Sequence, residues 1–241
     1  NKPAGIVVQG APPGVDNLAD LVRQYLRVKY DKPGNVYLGV PHRLDRPVTG
    51  VVIFSRNSKC AARLAEQFAQ RKVEKVYRAI LEQPPATPAG SLIDWLVRVG
   101  GVDESDAPDA EHYTRPKVVV GREGEPDAKR AVLHYRTLSV VRGRALVEIN
   151  LETGRMHQIR VQFASRGCPI VGDTQYGART ALDGDRIRPA TAQDETRYHP
   201  IALHAARLKL LHPVRYDELT ITAPLPAAWK ALGFDMNDSA T

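Results

Sequence analysis

His42-Arg43-Leu44-Asp45-Arg46-Pro47-Val48-Thr49-Gly50 is the stretch around which the rest of the chain is organised. It leads straight into Val51-Val52-Ile53-Phe54, an apolar run that reads as a buried strand. Pro47 and Gly50 make the stretch itself a shaped loop, neither helix nor strand interior. Within it one carboxylate, Asp45, sits between two guanidinium groups, Arg43 and Arg46. An Asp-Arg pair in a loop is ordinarily a solvated ion pair worth little. A second basic cluster far downstream gives this one a different weight.

That cluster is Gly154-Arg155-Met156-His157-Gln158-Ile159-Arg160. Thr153-Gly154 breaks a strand, and a short helix is expected from about His157 to Arg166, ended by Gly167 with Pro169 just beyond. The free N–H groups of a first helical turn favour anions. Arg155 and Arg160 are five positions apart and diverge by roughly 140° on a helix, so they cannot clamp one point together. One is expected to face the central loop, the other solvent or a phosphate. A pocket joining Asp45 to one of them makes chemical sense. A carboxylate nucleophile must stay ionised while shielded from water, and burial alone raises its pKa. A guanidinium counters that and fixes the carboxylate's orientation better than an ammonium would. Either partner left alone becomes a buried unpaired charge.

The bulk numbers fit an ordinary globular protein: 241 residues, 43% hydrophobic and 25% charged, enough for one large domain or two small ones. A formal charge of +7 favours an anionic partner, nucleic acid foremost. Cys60 and Cys168 lie far apart with no C-x-x-C spacing, which argues against a disulfide scaffold and a zinc ribbon and fits a reducing, cytoplasmic setting. Seven histidines include no H-x-x-x-H pair, so no metal site is expected. No apolar run approaches the ~18 residues of a membrane span, and no signal peptide is visible.

In chain order, Ile6-Val7-Val8 reads as a short strand, and Gly10 to Gly14 as loop. Asp16 or Asn17 can cap a helix whose inward face is Leu18, Leu21, Val22, Tyr25 and Leu26. Asn57 or Ser58 can cap a second, with Ala61, Leu64, Ala65 and Phe68 inward. Val73 to Leu81 looks extended and contains Lys75-Val76-Tyr77-Arg78. Residues 84–90 read as loop and Gly100 to Pro116 as an acidic exposed excursion. Lys129–Val141 and Arg144–Glu152 alternate around Arg142-Gly143 and predict an antiparallel hairpin. Gly172-Asp173-Thr174-Gln175-Tyr176-Gly177 is a second shaped loop, and 178–199 a polar surface loop. Leu208–Leu211 and Leu219–Ile221 make a last hairpin around Pro213. Antiparallel pairs mixed with a few helices give an α+β class, a mixed sheet with helices against it.

Taken together, these residues resemble the RluA-type pseudouridine synthases. Lys2-Pro3-Ala4-Gly5, the His42–Gly50 loop, Lys75-Val76-Tyr77 and Thr153–Arg160 match in order. So do Gly172-Asp173 with Tyr176-Gly177, and the tail through His204, His212-Pro213 and Ala223-Pro224-Leu225-Pro226. The pairing of H-R-L-D with G-R-x-H-Q-I-R is specific, and the resemblance covers nearly the whole chain. It implies a pseudouridine synthase fold: a central mixed, mostly antiparallel sheet with flanking helices and a long basic cleft, over 1–241 as one catalytic domain. By that resemblance, residues 1–241 are expected not to include the small amino-terminal RNA-binding domain that many relatives carry.

By the same resemblance Asp45 would be the catalytic aspartate, attacking ribose C1′ or uracil C6. Tyr77 would stack on the flipped base, and Arg160 would pair with Asp45. Arg43 would fill the gap left by the extruded uridine, offsetting the unstacking cost. Arg155, His157 and Gln158 would lie near substrate, and Lys2 and Arg46 would contact RNA. Ribosomal or transfer RNA is the implied partner, with no cofactor, no metal and a monomeric protein. Two departures bear on RNA choice or packing: Gln9-Gly10 and Gln162 stand where many relatives have His-Pro and a second histidine. Two other functions compete. One is RNA binding on the same fold without catalysis, disfavoured because Asp45, Tyr77 and Arg160 are all present. The other is glycosidic hydrolysis, disfavoured because Asp45 has no second acid in its loop.

Overall fold

Alternating apolar residues along the second half of the chain dictate a sheet, and the computed structural model shows one. It describes residues 1–11, 15–100, 116–182 and 199–234. The expected loop at Gly10–Gly14, the excursion at 100–116 and the loop at 178–199 fall largely outside these. In chain order the elements are α1 (Leu18–Lys29), β1 (Thr49–Gly50), α2 (Ser58–Ala69), β2 (Glu74–Leu81), β3 (Ala89–Val99) and β4 (Lys117–Gly121). They continue with β5 (Lys129–Val141), β6 (Arg144–Leu151), α3 (Gln158–Ala164), β7 (Leu203–Leu211) and β8 (Glu218–Thr222). All the described strands join one sheet of order β1-β7-β2-β6-β5-β3-β4, with β8 beside β7. Only the β1–β7 pairing is parallel, so the sheet is mixed and mostly antiparallel, and the class is α+β.

The predicted hairpin β5–β6 turns at Arg142-Gly143, both with positive φ. Along β6 the burial goes further than alternation suggested. Ala145, Val147 and Ile149 are buried as expected, but so is Leu146, because β6 is central and covered on both faces. With Ile80, Leu81, Leu133, Ile159, Phe163 and Trp229 these residues form the main core. α3 lies against β3 and β4.

Four expectations are corrected. Val51–Phe54 is not a strand, with Val51 buried and Val52, Ile53 and Phe54 half-buried: the ladder covers only Thr49–Gly50, and Val51 adds one further bond to the Ala205 carbonyl before the chain leaves β7. Ile6–Val8 is not a strand either; the Val7 and Val8 carbonyls accept from Leu18 and Ala19 at the start of α1. In α1, capped by Asn17, the face is rotated: Ala19 and Leu26 are buried while Leu21 is 41% and Tyr25 57% exposed. Ala19 is small enough to let α1 approach Val36 and Leu38 closely, and that contact sets the orientation. α2 is capped by Asn57 and inserts Leu64 and Phe68, while Ala65 is exposed.

Candidate active site

The central loop is pinned from beneath. Lys2 and Gly50 exchange backbone hydrogen bonds at 2.8 and 3.0 Å. The Lys2 ammonium, buried under the loop, donates to the carbonyls of Pro3, Ile6 and Arg46 at 2.8, 2.7 and 3.1 Å. Burial lowers its pKa to about 8, with Asp45 opposing that shift. Gly50 has φ +116°, and a side chain there would strike the Ala205 backbone, so only glycine permits β1 to reach β7. Thr49 Oγ1 meets His204 Nδ1 at 2.7 Å. His42 stacks on Phe68 and accepts from the Ile53 N–H at 3.0 Å. Burial holds its pKa near 4, so the ring is neutral. The loop thus closes on Asp45 with no freedom to spare.

The opposite wall comes from α3 and the Gly172–Gly177 loop. α3 is shorter than expected, because His157 adopts a left-handed conformation (φ 51°) and starts the helix at Gln158. The Gln158 side chain, itself buried, accepts from the Arg155 N–H and Thr153 Oγ1 and donates to the Val132 carbonyl. This ties the turn to β5. Arg160 then projects into the cleft. Its Nε and Nη2 donate to both oxygens of Asp173, at 2.7 and 2.8 Å, and Nη2 donates also to Gln175 at 2.8 Å. Nη1 reaches Asp45 Oδ2 at a longer 3.4 Å. The Tyr176 ring lies 4.9 Å from the guanidinium. Burial alone would lower the Arg160 pKa, but Asp173, its hydrogen bonds and Asp45 more than reverse this.

Asp45 faces a cavity of about 440 Å³ lined by Arg43, Arg46, His157, Arg160 and Asp173 among others. Burial pushes its pKa up; the His157 ring, the Arg160 guanidinium with its hydrogen bond, and Arg43 outweigh that, and the carboxylate is held below its ordinary value. His157 Nε2 stands 3.8 Å from Asp45 Oδ2, with Nδ1 on the Tyr176 hydroxyl at 2.8 Å. Desolvation lowers its pKa to about 4. Tyr77, on β2 between Ile149 and Ala205, packs on the core within electrostatic reach of Asp45. Burial and that negative charge both raise its phenol pKa, so it stays protonated.

The structure therefore brings Asp45, Arg160, His157, Arg43 and Arg46 to one cleft, with Tyr77 packed on the core within electrostatic reach of Asp45. It does not bring Lys2 or Gln158 to an RNA-facing surface: both are buried scaffold residues whose polar atoms bond the protein backbone and Thr153. Arg155 leaves the cleft, donating from Nε to the Arg130 carbonyl at 3.2 Å, and lines a neighbouring groove. Asp173 and Gln175 were not singled out from sequence; the signal available was the Gly172-Asp173 pair opening a shaped loop. Among the described residues no three His, Cys, Asp or Glu converge as a metal site. No helix among them is long and apolar enough to cross a membrane.

Comparison with known proteins completes the picture. The sequence pattern of the RNA pseudouridylate synthase family matches residues 1–165. The ribosomal large subunit pseudouridine synthase D of Zymomonas mobilis is 31% identical over 229 residues, covering 94% of this chain and 65% of that protein. Its namesake in Xanthomonas campestris is 36% identical, with coverages of 94% and 62%. An uncharacterized RNA pseudouridine synthase of Chloroflexus aurantiacus is 33% identical over 244 residues, covering all of this chain and 67% of that one. The chain thus spans about two thirds of the length of these relatives. Among solved structures, human RNA pseudouridylate synthase domain containing 4 superposes with a TM-score of 0.70 at 27% identity, over 95% of this chain and 85% of that one. The family pattern covers more than half of the chain, the relatives match along nearly all of it, and the chain belongs to the RNA pseudouridylate synthase family.

Proposed function

We propose that this chain isomerises uridine to pseudouridine in RNA with Asp45 as the nucleophile. The observation that carries the proposal is the state of Asp45: ionised, in a cleft, with its guanidinium partner held chiefly by another carboxylate. Its oxygens remain available to attack ribose C1′ or uracil C6. The N1–C1′ bond then breaks, the ring turns, a C5–C1′ bond forms, and the bond to Asp45 breaks with its electron pair returning to the carboxylate. The C5 proton leaves and N1 regains one, so the reaction balances with no external reagent. Tyr77 offers its ring to the extruded base, and Arg43, exposed on the same loop, fills the vacated stack. Relatives named for the large ribosomal subunit make ribosomal RNA the first substrate to test, with transfer RNA second. Hydrolysis by a carboxylate pair is disfavoured because Asp173 has both oxygens committed to Arg160, and Asp20, which also lines the cavity, is bonded to Asn17 and Arg23. RNA binding without catalysis leaves the maintained charge on Asp45 without a purpose.

Asp45→Asn is expected to lower tritium release from 5-tritiated uridine RNA by at least about 10⁴-fold while RNA binding persists. Release at the wild-type rate would refute the assignment.

A further inference from the structure

Lys75 lies on β2 two residues before Tyr77, so the two side chains leave the same face of the strand about 7 Å apart. It is half-buried, yet among the described residues no hydrogen bond or ion pair forms at its ammonium. Its head lies over Gly154, 3.5 Å from where a side chain would begin. Its electrostatic neighbours include Arg71, Arg155 and the neutral His42 ring, and burial together with the two arginines lowers its pKa. The nearest carboxylate of this cluster, Glu152, is shared loosely: Arg71 at 3.7 Å, Arg130 at 3.9 Å and His134 at 3.7 Å. Two arginines and a histidine thus share one half-exposed acid, none of them closely. A partly buried ammonium among like charges is unfavourable in the free protein and becomes favourable when an anion arrives.

Position says which anion. Gly154 and Arg155 line a groove of about 720 Å³ with Arg43, Arg98, Lys129 and Met156, and Arg43 and Met156 also line the Asp45 cavity. The groove therefore adjoins the cleft at Arg43 and Met156, and a polyanion lying along one reaches the edge of the other. We propose that Lys75, with Arg71, Arg130 and Arg155 around it, forms a phosphodiester subsite that grips the RNA backbone beside the nucleotide held at Asp45. The inference rests on RNA being the substrate. It gives Lys75 a binding role separate from the chemistry: a backbone contact without base readout.

The test is Lys75→Met, with Arg155→Gln as a second variant should the first fold poorly. Lys75→Met is expected to unfold at the same or a higher temperature than wild type without ligand, since it removes an uncompensated charge. Sodium sulfate at constant ionic strength should protect wild type more than the variant. The variant should bind a uridine-containing RNA oligonucleotide more weakly, and its log–log salt slope should be shallower by about 0.7. In turnover, KM should rise by more than kcat falls. A destabilised variant with an unchanged salt slope would overturn the subsite and make Lys75 a structural residue. Sulfate protection that depends on Lys75, with RNA binding unaffected, would make the site one for free anions and overturn the backbone contact. If wild type releases no tritium from any RNA yet the slope still changes, the isomerase reading falls and the subsite stands.

Discussion

Asp45 and Asp173 both touch Arg160, and the molecule treats them in opposite ways. Asp173 is 1% exposed and presents both oxygens to Nε and Nη2 of the guanidinium. The Asp45 side chain is 28% exposed and receives one contact at 3.4 Å. A bidentate pair is the strong form of this interaction, and it is given to Asp173, not to the proposed nucleophile. Had Asp45 taken that fork, its lone pairs would be occupied. Asp173 neutralises Arg160 and fixes its plane; Arg160 then supplies enough positive potential to keep Asp45 ionised without tying it down. The same contrast explains Lys75, which has no Asp173 of its own.

The largest effect expected from this contrast is on stability. Asp173→Ala strands a buried guanidinium and should cost about 3–5 kcal/mol, read as a fall in the urea midpoint. It should also slow tritium release, because Arg160 can swing onto Asp45. Asp45→Ala should change stability by less than about 1 kcal/mol. Equal losses from the two variants would erase the distinction between anchor and nucleophile.

A middling effect is expected from pH. His157 and His42 have folded pKa values near 4, below the 6.5 of an unfolded chain. As pH falls through 6.5 the unfolded state takes up protons first, so stability declines between pH 6.5 and 4 and is complete above that window. Each ring contributes on the order of 3 kcal/mol at most across the window. Asp45, depressed below its ordinary value, gives up its contribution only at lower pH still. The early part of the acid transition therefore belongs to the histidines. NMR titration of the imidazoles should find both rings neutral at pH 6; a His157 midpoint near 6.5 would mean a solvated ring and a wetter cleft.

How much of this was legible before the coordinates depends on the range of the interaction. Local signals worked: Asn17 and Asn57 cap their helices, and Arg142-Gly143 turns the β5–β6 hairpin. The family resemblance, not spacing, grouped Asp45, Tyr77 and Arg160; in the fold Arg160 reaches Asp45 at 3.4 Å and Tyr77 lies within its electrostatic reach. What failed depended on contacts distant in sequence. The hydrophobic period of α1 located the helix but not its orientation, which Ala19 fixes against residues 36–38. Val51–Phe54 has the composition of a strand, yet β7 runs beside it for only two residues before pairing with β8. Lys2 and Gln158 carry the polar atoms of RNA contacts, and nothing local shows that those atoms are already used by carbonyls of the loop and of β5. β3 and β4 were missed altogether; Ala89 to Val99 mixes exposed and buried residues without a clean period of two.

The smallest effect on stability, and the most selective on turnover, belongs to Arg43. It shares a loop and a charge with its surroundings but is exposed and lines both the Asp45 cavity and the groove beyond it. Arg160 acts on the carboxylate whatever the RNA is; Arg43 acts only if a base must leave a stack. Unstacking costs a few kcal/mol in a duplex and little in an unstructured strand, so Arg43→Ala should slow turnover by about 10–100-fold on a stem-loop and by under about 3-fold on an unstructured oligonucleotide. The measurement is the ratio of kcat/KM for the two substrates in wild type and variant. An equal loss on both would reassign Arg43 to the electrostatics of Asp45, on the same footing as Arg160, and the unstacked duplex would need another side chain to fill it.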